Sequence, residues 1–219
     1  MNATKTLACI LAFLTGTAWG QIQSGPMIGH VSMTSAQLWI QTETASDVWV
    51  DYAVQGEEAN GWKRSAPVRT EAESAHAAHI HLSELEPGTT YAVKFVVDGE
   101  AVGEVVEVST QVLWDYRMDP PAFKFVTGSC AYINEAEYDR PGRPYGGGYE
   151  IFESMAAEAP DMMLWLGDNI YLREVDFQSY SGFLHRYTHT RSTPEMANLL
   201  KACPNYAIWD DHDFGPNDS

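Results

Sequence analysis

Alternating apolar and polar positions mark the chain from about residue 21 to residue 111. Gln37–Thr42 and Asp47–Ala53 alternate or nearly so, and Trp39 and Trp49 are the core candidates of these two runs. Gly, Asn, Pro and Asp-Gly turn signals separate further short runs that are typical of strands, at His79–Leu82, Tyr91–Val97 and Val105–Thr110. The pattern predicts an all-β sandwich of about seven strands over residues 21–112.

One turn in this region has a more specific signature. Leu85–Tyr91 (L-E-P-G-T-T-Y) resembles the tyrosine corner of fibronectin type III domains, in which a Tyr near a strand start bonds to the preceding turn. Asp98-Gly99 predicts a hairpin turn between two of the strands. The resemblance implies a fibronectin type III/Ig-like sandwich.

The same region contains three histidines that could form a metal-binding site, His76, His79 and His81. His79 and His81 would share one face of a strand. No carboxylate or cysteine joins them, so an exposed strand face is the simpler interpretation.

The pattern changes after residue 112. Residues 113–121 predict a linker, because Pro120-Pro121 bars helix and interrupts sheet pairing. From residue 122 to residue 219 apolar runs alternate with helical spacing, which predicts an α/β domain. The predicted strands and helices are Phe123–Val126, Tyr149–Ala159, Met162–Leu166, Asp176–Thr190, Pro194–Ala202 and Tyr206–Trp209.

Apolar spacing also predicts which helix faces are buried. The first helix has helical spacing through Ile151 and Met155, and Thr193 is the expected cap of the third. The second helix is expected to bury an apolar stripe of Phe177, Tyr180, Phe183, Leu184 and Tyr187.

The amino terminus has the pattern of a secretory signal peptide. Lys5 precedes the apolar segment 6–13, and Ala18-Trp19-Gly20 places small residues at the −3 and −1 positions. We therefore predict a signal peptide over residues 1–20, cleavage before Gln21, and a secreted, periplasmic or extracellular protein. The apolar run is too short to span a bilayer, and no later run is long enough.

The composition is strongly acidic. The chain has 30 Asp and Glu against 13 Lys and Arg, for a formal net charge of −17, and loss of Lys5 with the signal peptide makes it more negative by one. Such a surface repels nucleic acid, so we expect no nucleic acid as a stable partner. It also repels phosphates, so a site that handles phosphate here needs bound cations to invert the local field.

Three of the predicted strands end in side chains that bind metals. The run 123–130 ends on Cys130, the run 162–171 ends on Asp168 with Asn169 and Tyr171, and the run 205–213 ends on D-D-H-D. Ligands bind beyond the carboxyl ends of strands in α/β sheets. Neighbouring carboxylates there raise one another's pKa unless a cation lies among them. The pattern predicts a catalytic metal site in which one carboxylate can bridge two ions.

These motifs carry a resemblance to a known family. G-S-C, G-D-N-I-Y and W-D-D-H-D, in this order behind a fibronectin-like domain and a signal peptide, resemble the alkaline phosphatase D (PhoD-like) branch of the metallophosphatases. The resemblance implies a catalytic domain of the αββα sandwich type. It further implies hydrolysis of phosphate mono- and/or diesters by attack of a metal-activated hydroxide, so the expected partner is a phosphate-ester substrate.

The resemblance also implies a ferric ion beside a calcium ion. Cys130, Asp168 and Tyr171 match the positions that hold iron, with Asp168 as the bridging carboxylate. Asp211 would serve the calcium side. His212 would contact the phosphate and help to protonate the leaving alkoxide. Thiolate and phenolate suit a trivalent ion, whereas calcium prefers oxygen ligands. The two flanking carboxylates, Asp210 and Asp213, are expected to assist from outside the ligand set.

Weaker candidates remain open beside this set. His185 and His189 have the i, i+4 spacing of some zinc sites, Arg186 and Arg191 could grip a phosphate, and Gly146–Gly148 could present amides to an anion. Surface residues and a flexible turn are the simpler interpretations of these. Cys130 and Cys203 could also form a disulfide, although the position of Cys130 at a strand end favours a ligand.

An alternative function is a calcium-dependent extracellular binding or adhesion protein without catalysis.

A further expectation concerns the completeness of the catalytic domain. Metallophosphatases take more histidine and aspartate ligands from later strands, and no G-D-x-H segment follows Asp213. We therefore expect this chain to be the amino-terminal part of a longer enzyme that is a monomer at full length. On that expectation the catalytic domain is incomplete, poorly active and prone to aggregate.

Overall fold

The computed structural model describes residues 21–218, so the predicted signal peptide lies outside the described residues. Strands dominate the first half, and helices alternate with strands in the second. The first eight strands are β1 (Ile22–Val31), β2 (Ala36–Thr42), β3 (Asp47–Val54), β4 (Lys63–Arg64), β5 (Val68–Arg69), β6 (Ala77–Leu82), β7 (Thr90–Val97) and β8 (Glu100–Ser109). The later elements are β9 (Phe125–Gly128), α1 (Glu150–Ala157), β10 (Met162–Leu166), α2 (Tyr180–Arg191), α3 (Pro194–Ala202) and β11 (Asn205–Ile208).

The first eight strands form a β-sandwich, as the alternating pattern predicts. One sheet has the antiparallel order β1-β2-β6, and the other has the order β4-β3-β7-β8 with β5 paired to β3. Alternate side chains of both sheets meet in one apolar core. Its fully buried members include Leu38, Ile40, Val48, Val50, Val93 and Phe95.

The two tryptophans predicted for this core lie outside it, so that prediction is wrong. Trp39 and Trp49 are half-buried, whereas Leu38 and Val48 beside them have 1% and 0% of their surface exposed. Successive side chains of a strand point to opposite faces, and here the aliphatic positions face inward. Trp49 instead lies under the guanidinium of Arg64, 4.8 Å from its ring centroid.

The tyrosine corner is present as predicted. The Tyr91 hydroxyl accepts a hydrogen bond of 2.8 Å from the Glu86 backbone N–H, and the Tyr91 side chain is buried. Asp98 and Gly99, with φ of 48° and 93°, form the hairpin turn between β7 and β8. His79 and His81 lie on the exposed face of β6, and the described residues hold no metal-binding cluster there.

The second half contains a three-stranded parallel sheet in the order β11-β10-β9. One face is covered by α1 and α3, where the buried residues include Phe152, Met163, Trp165, Met196, Leu199 and Leu200. The other face leaves Phe125, Leu166 and Ile208 exposed. Of the predicted αββα sandwich, residues 125–208 thus contain this sheet and one helical layer.

The helices occur where the spacing predicts them, but their buried faces differ. Ile151 of α1 is 58% exposed, and its neighbour Phe152 is buried instead. The apolar stripe predicted for α2 is wrong, because Tyr180 is 68% exposed. Its buried residues are Arg186 and Thr190. Thr193 occupies the cap position of α3, yet its side chain makes no capping hydrogen bond.

The two halves are in direct contact. Asn205 at the start of β11 donates from Nδ2 to the Ile28 carbonyl of β1 at 3.2 Å, and the His30 ring meets the Tyr206 hydroxyl at 3.1 Å. The Ser24 hydroxyl donates to the Arg191 carbonyl at the end of α2, at 2.7 Å. Within residues 21–218, no helix is both long enough and apolar enough to cross a membrane.

Candidate metal centre

Register brings the carboxyl ends of the three parallel strands to one edge of the sheet. Leu166 pairs with Ile208, and Trp165 pairs with Gly128. Asp168 lies two residues past the end of β10, and Cys130 lies two residues past the end of β9. Because parallel strands run in the same direction, their terminal loops meet at this edge.

The backbone at this edge adopts a sterically demanding conformation. Gly167 has φ of 92°, and a Cβ added there would lie 2.6 Å from the Asp210 Cβ, so only glycine allows the loops to approach this closely. Cys130 and Asp168 are themselves left-handed, with φ of 60° and 48°. Such a conformation costs a non-glycine residue about 1–3 kcal/mol, and it is concentrated at functional sites.

Backbone hydrogen bonds tie the three loops together. The N–H groups of Cys130 and Ala131 donate to the carbonyls of Gly167 and Asp168, at 3.3 and 2.9 Å. The Leu172 N–H donates to the His212 carbonyl at 3.3 Å. The side chains that follow β9, β10 and β11 are therefore held near one another by the main chain itself.

Asp168 is the central side chain of the cluster. Its Oδ2 accepts a hydrogen bond from the Tyr171 hydroxyl at 2.9 Å and lies 3.5 Å from the Cys130 Sγ. Its Oδ1 is buried and has no hydrogen-bond partner. A buried carboxylate oxygen without a partner is costly, and a cation would satisfy it.

Asp211 and His212 complete the cluster from the third strand. Donor atoms of Asp168, Asp211 and His212 all lie within 4.8 Å of one another. The Tyr171 ring packs on the His212 ring with centroids 4.3 Å apart. The structure thus brings together all five residues that the sequence singles out, Cys130, Asp168, Tyr171, Asp211 and His212.

The electrostatics of the cluster differ between its two sides. Burial raises the pKa of Tyr171, and hydrogen bonds with Cys130 and Asp168 raise it further, so the phenol keeps its proton in the absence of a cation. The pKa of Asp211 is lowered, chiefly by the backbone N–H of Asp218, so this carboxylate is ionised near neutral pH. The Asp211 carboxylate is therefore negatively charged near neutral pH, whereas the Tyr171 phenol carries a proton that a bound cation would displace.

The two remaining acids of D-D-H-D hold the loop in place. The Asp213 carboxylate is buried and accepts hydrogen bonds from the Asn169 amide and the Ile170 N–H, each at 3.1 Å. It also accepts one from the Asp210 N–H at 2.9 Å, and the Asp210 carboxylate accepts from the Asp211 N–H at 3.0 Å. These groups join the end of β11 to the loop after β10.

A buried ionic network beside the cluster was not predicted. The Arg173 guanidinium donates to Asp139 at 2.8 Å, to the Ile133 carbonyl at 2.9 Å and to the Tyr171 carbonyl. The Tyr132 hydroxyl donates to Asp139 at 2.7 Å, and the Tyr132 ring lies 4.9 Å from the Tyr171 ring. These residues are dispersed over two loops, and no short sequence motif marks them.

The weaker candidates do not join the cluster. Arg186 is fully buried between Glu135 at 2.6 Å and Asp176 at 2.9 Å, so its interpretation as a surface arginine is wrong. Arg191 is half-buried and lies over the Trp165 ring, 5.2 Å from its centroid. His185 is half-exposed and pairs with Glu135 at 3.0 Å. Gly146–Gly148 form an exposed loop.

Both cysteines of the described residues are free thiols, so the disulfide alternative is wrong. Cys130 is exposed at the strand end. Cys203 is buried in the apolar layer beneath the sheet.

Comparisons with known proteins find a family model for each half of the chain. The family model for PhoD-like phosphatases matches residues 125–217, and a domain of unknown function, DUF7800, matches residues 20–111. None of the curated proteins matches the chain.

Among solved structures, that of PhoD superposes with a TM-score of 0.70 at 21% identity over 90% of this chain. The match covers 40% of the PhoD chain, so this chain spans less than half of its length. The sensor domain of the anti-sigma factor RsgI4 of Pseudobacteroides cellulosolvens is 14% identical, with a TM-score of 0.35 over 41% of this chain and 93% of that domain. Residues 125–217 are thus similar in sequence to PhoD-like phosphatases, and the superposition on PhoD shows that the fold is similar as well.

Proposed function

We propose that this protein is a secreted, metal-dependent phosphatase that hydrolyses phosphate mono- and/or diesters. The observation that carries the proposal is the convergence of a thiol, a phenol, two carboxylates and an imidazole at the ends of three parallel strands. A site of this kind can collect the positive charge that an acidic protein needs to hold a phosphate. Export is proposed from the sequence pattern of residues 1–20.

The residues present fit a pair of metal ions. The Asp168 Oδ1 is buried without a partner, and its Oδ2 faces the Cys130 thiol and the Tyr171 phenol. Cys130, Asp168 and Tyr171 would hold ferric iron, and Asp168 and Asp211 would hold calcium on the other side. When bound, these ions would supply the Lewis acidity and the charge neutralisation that phosphoryl transfer requires.

The protein groups have separate tasks in this proposal. The His212 ring packs on the Tyr171 ring, and the His212 carbonyl accepts a hydrogen bond from the Leu172 N–H. From that position a ring nitrogen of His212 would contact a phosphoryl oxygen and donate a proton to the leaving alkoxide. Asp213 and Asp210 would keep the loop of His212 in register with Asp168.

The alternative, a calcium-dependent binding protein without catalysis, makes no use of the Cys130 thiol or the Tyr171 phenol. Calcium takes oxygen ligands and gains nothing from a thiolate. Visible absorbance from a tyrosinate-to-iron charge-transfer band would favour the phosphatase. A colourless protein that holds calcium alone would favour the binding protein.

The decisive experiment replaces the central carboxylate. We expect Asp168→Asn to lose bound metal and hydrolysis of both mono- and diesters together, because Asp168 contacts both sides of the cluster. Metal content by mass spectrometry and parallel ester assays measure this. Asp115→Asn, an exposed carboxylate of the segment between the halves, is the matched control and should behave as wild type. Full metal content and turnover in Asp168→Asn would contradict the proposal.

A further inference from the structure

A cavity of about 370 Å³ opens beside the candidate metal centre. Cys130 and Tyr132 line it at the end nearest the cluster. From there it extends between the sheet and α1, where its walls are Phe152, Met155, Met163 and Trp165. The volume is within the range of pockets that bind small organic molecules.

The walls of this cavity contain no charged side chain among the described residues. In a chain in which 20% of the residues are charged, an uncharged recess next to a cluster of acids is a marked local contrast. The recess offers the anionic phosphoryl group no cationic side chain, and apart from Cys130 and the aromatic side chains its polar lining is limited to Ser129 and the loop Gly146–Gly148. That group would be held at the cluster, and the recess is left for a different part of a substrate.

Most polar atoms of the aromatic walls are already engaged elsewhere. The Tyr132 hydroxyl donates to Asp139, and the Tyr149 hydroxyl accepts from the Asn134 N–H at 2.8 Å. The Trp165 Nε1 donates to the Asn205 side chain at 3.0 Å. Hydrogen bonds within the protein therefore already engage the polar atom of each of these three side chains. The Tyr145 ring packs edge-on against the Tyr132 ring, 4.8 Å apart, at the exposed loop.

Gly128 lies at the wall of the recess, next to two methionines. A Cβ added at this position would lie 3.3 Å from the Met155 Cε and 3.8 Å from the Met163 Cε, so a side chain here would crowd the Met155 methyl group. Methionine side chains adapt their shape to irregular apolar ligands.

We propose that this cavity binds the organic alcohol portion of the substrate, and that the preferred substrates are phosphate esters of aromatic or other bulky apolar alcohols. The inference rests on the phosphatase function proposed above and adds its substrate class. Continuity through Cys130 places the cavity one side chain away from the cluster that would hold the phosphoryl group.

Binding of two non-hydrolysable probes tests the proposal without turnover. The full chain, supplied with ferric iron and calcium, is titrated with 1-naphthylmethylphosphonate and with methylphosphonate. Because the naphthyl ring would be buried in the cavity, the Kd of 1-naphthylmethylphosphonate should be roughly tenfold or more lower than that of methylphosphonate. Labelled methionine methyl groups give a local readout, in which the Met155 signal should shift with the naphthyl probe only. The signal of the exposed Met118 should not move.

A matched pair of variants supplies the control. Ile151 is 58% exposed and lines the cavity, so Ile151→Glu adds a charge at its wall with little cost to folding. Val175 is 61% exposed and lies outside the cavity, so Val175→Glu adds the same charge elsewhere. We expect Ile151→Glu to remove most of the naphthyl preference and Val175→Glu to keep it.

Several outcomes would overturn the inference. These are equal Kd values for the two phosphonates, no measurable binding of either, an unshifted Met155 signal, or equal effects of the two variants. Ester hydrolysis is measured separately. Naphthyl preference without hydrolysis of any ester would support the cavity and refute the phosphatase, whereas hydrolysis without size preference would do the reverse.

Discussion

At the scale of single residues, Asp168 is subject to more constraints than any other member of the cluster. Its backbone is left-handed, one carboxylate oxygen accepts from Tyr171, and the other is buried without a partner. The left-handed backbone and the oxygen without a partner are each unfavourable for an isolated apoprotein. Together they describe a residue placed for a ligand rather than for stability.

The two cysteines should differ sharply in reactivity. Burial raises the pKa of Cys203 to about 11, so only about one part in a thousand is thiolate at pH 8. Cys130 is exposed. In metal-free native protein we expect a thiol reagent to modify Cys130 rapidly and Cys203 only on unfolding. Cys130→Ser should remove the fast phase and Cys203→Ser should keep it. A fast phase that survives Cys130→Ser would contradict this assignment.

The cluster was predictable because its chemistry is local. Cys130, Asp168 and His212 each follow an apolar run, and parallel strands bring such positions to one edge. Trp39 was mispredicted for a physical reason. Alternation separates the two faces of a strand, but it does not tell which face points into the core. The size of the Trp39 ring suggested its face, whereas the neighbouring aliphatic residues are the buried ones.

At the scale of elements, the loop between β10 and α2 is held by buried charges. Arg173 is 6% exposed and pairs with Asp139, while Arg186 pairs with Glu135 and Asp176. Removing one partner of a buried pair leaves the other charge uncompensated, at a typical cost of about 3–5 kcal/mol. This network fixes the segment that carries Tyr171.

Stability should therefore depend on the ionisation of Asp139. Burial opposes its ionisation, but hydrogen bonds from Arg173, the Glu135 N–H and Tyr132 hold its pKa at about 2. Because the folded-state pKa is lowered, the stabilisation is complete above the unfolded pKa and is lost as the pH falls through about 4 toward 2. The lowered pKa corresponds to about 2 kcal/mol at neutral pH.

We expect Asp139→Asn to lower the free energy of unfolding by at least this amount at pH 7. The difference from wild type should shrink as the pH is lowered from 5 to 2.5. Urea denaturation at each pH measures it, and Asp51→Asn, whose partner Arg64 is 61% exposed, is the control with a smaller effect. A difference that is independent of pH would contradict the role of Asp139.

Buried arginines explain why the face of α2 was mispredicted. Helical spacing of Tyr180 and Tyr187 suggested an apolar stripe, yet Arg186 faces inward because acids on two other segments neutralise it. Those partners are 51 and 10 residues away in the chain. Periodicity reports hydrophobicity along one element, so it carries no information about such distant partners.

At the scale of the whole molecule, Asn205 connects the two halves. Its Nδ2 donates to carbonyls of Ile28, Leu200 and Cys203, and its Oδ1 accepts from Trp165. One amide thus joins the sandwich, α3 and the parallel sheet. The element types of both halves could be predicted from periodicity, whereas this contact between them depends on a residue without any distinguishing pattern.

Loss of this amide should destabilise both halves together. We expect Asn205→Ala to lower the free energy of unfolding by about 1–3 kcal/mol, since several buried groups lose their partner. Denaturation followed in parallel by tryptophan fluorescence and circular dichroism measures this. Asn60→Ala, at an exposed turn of the sandwich, should have little effect. An unchanged unfolding midpoint in Asn205→Ala would show that the contact contributes nothing.

The left-handed backbone at Cys130 and Asp168 sets two aims of protein engineering against each other. Glycine is the residue that such a conformation favours, and it would relieve strain at both positions. A laboratory selection for heat resistance alone would therefore enrich glycine at two positions where it removes donor side chains of the candidate metal centre. Directed evolution of this fold for robustness needs a simultaneous demand for bound metal.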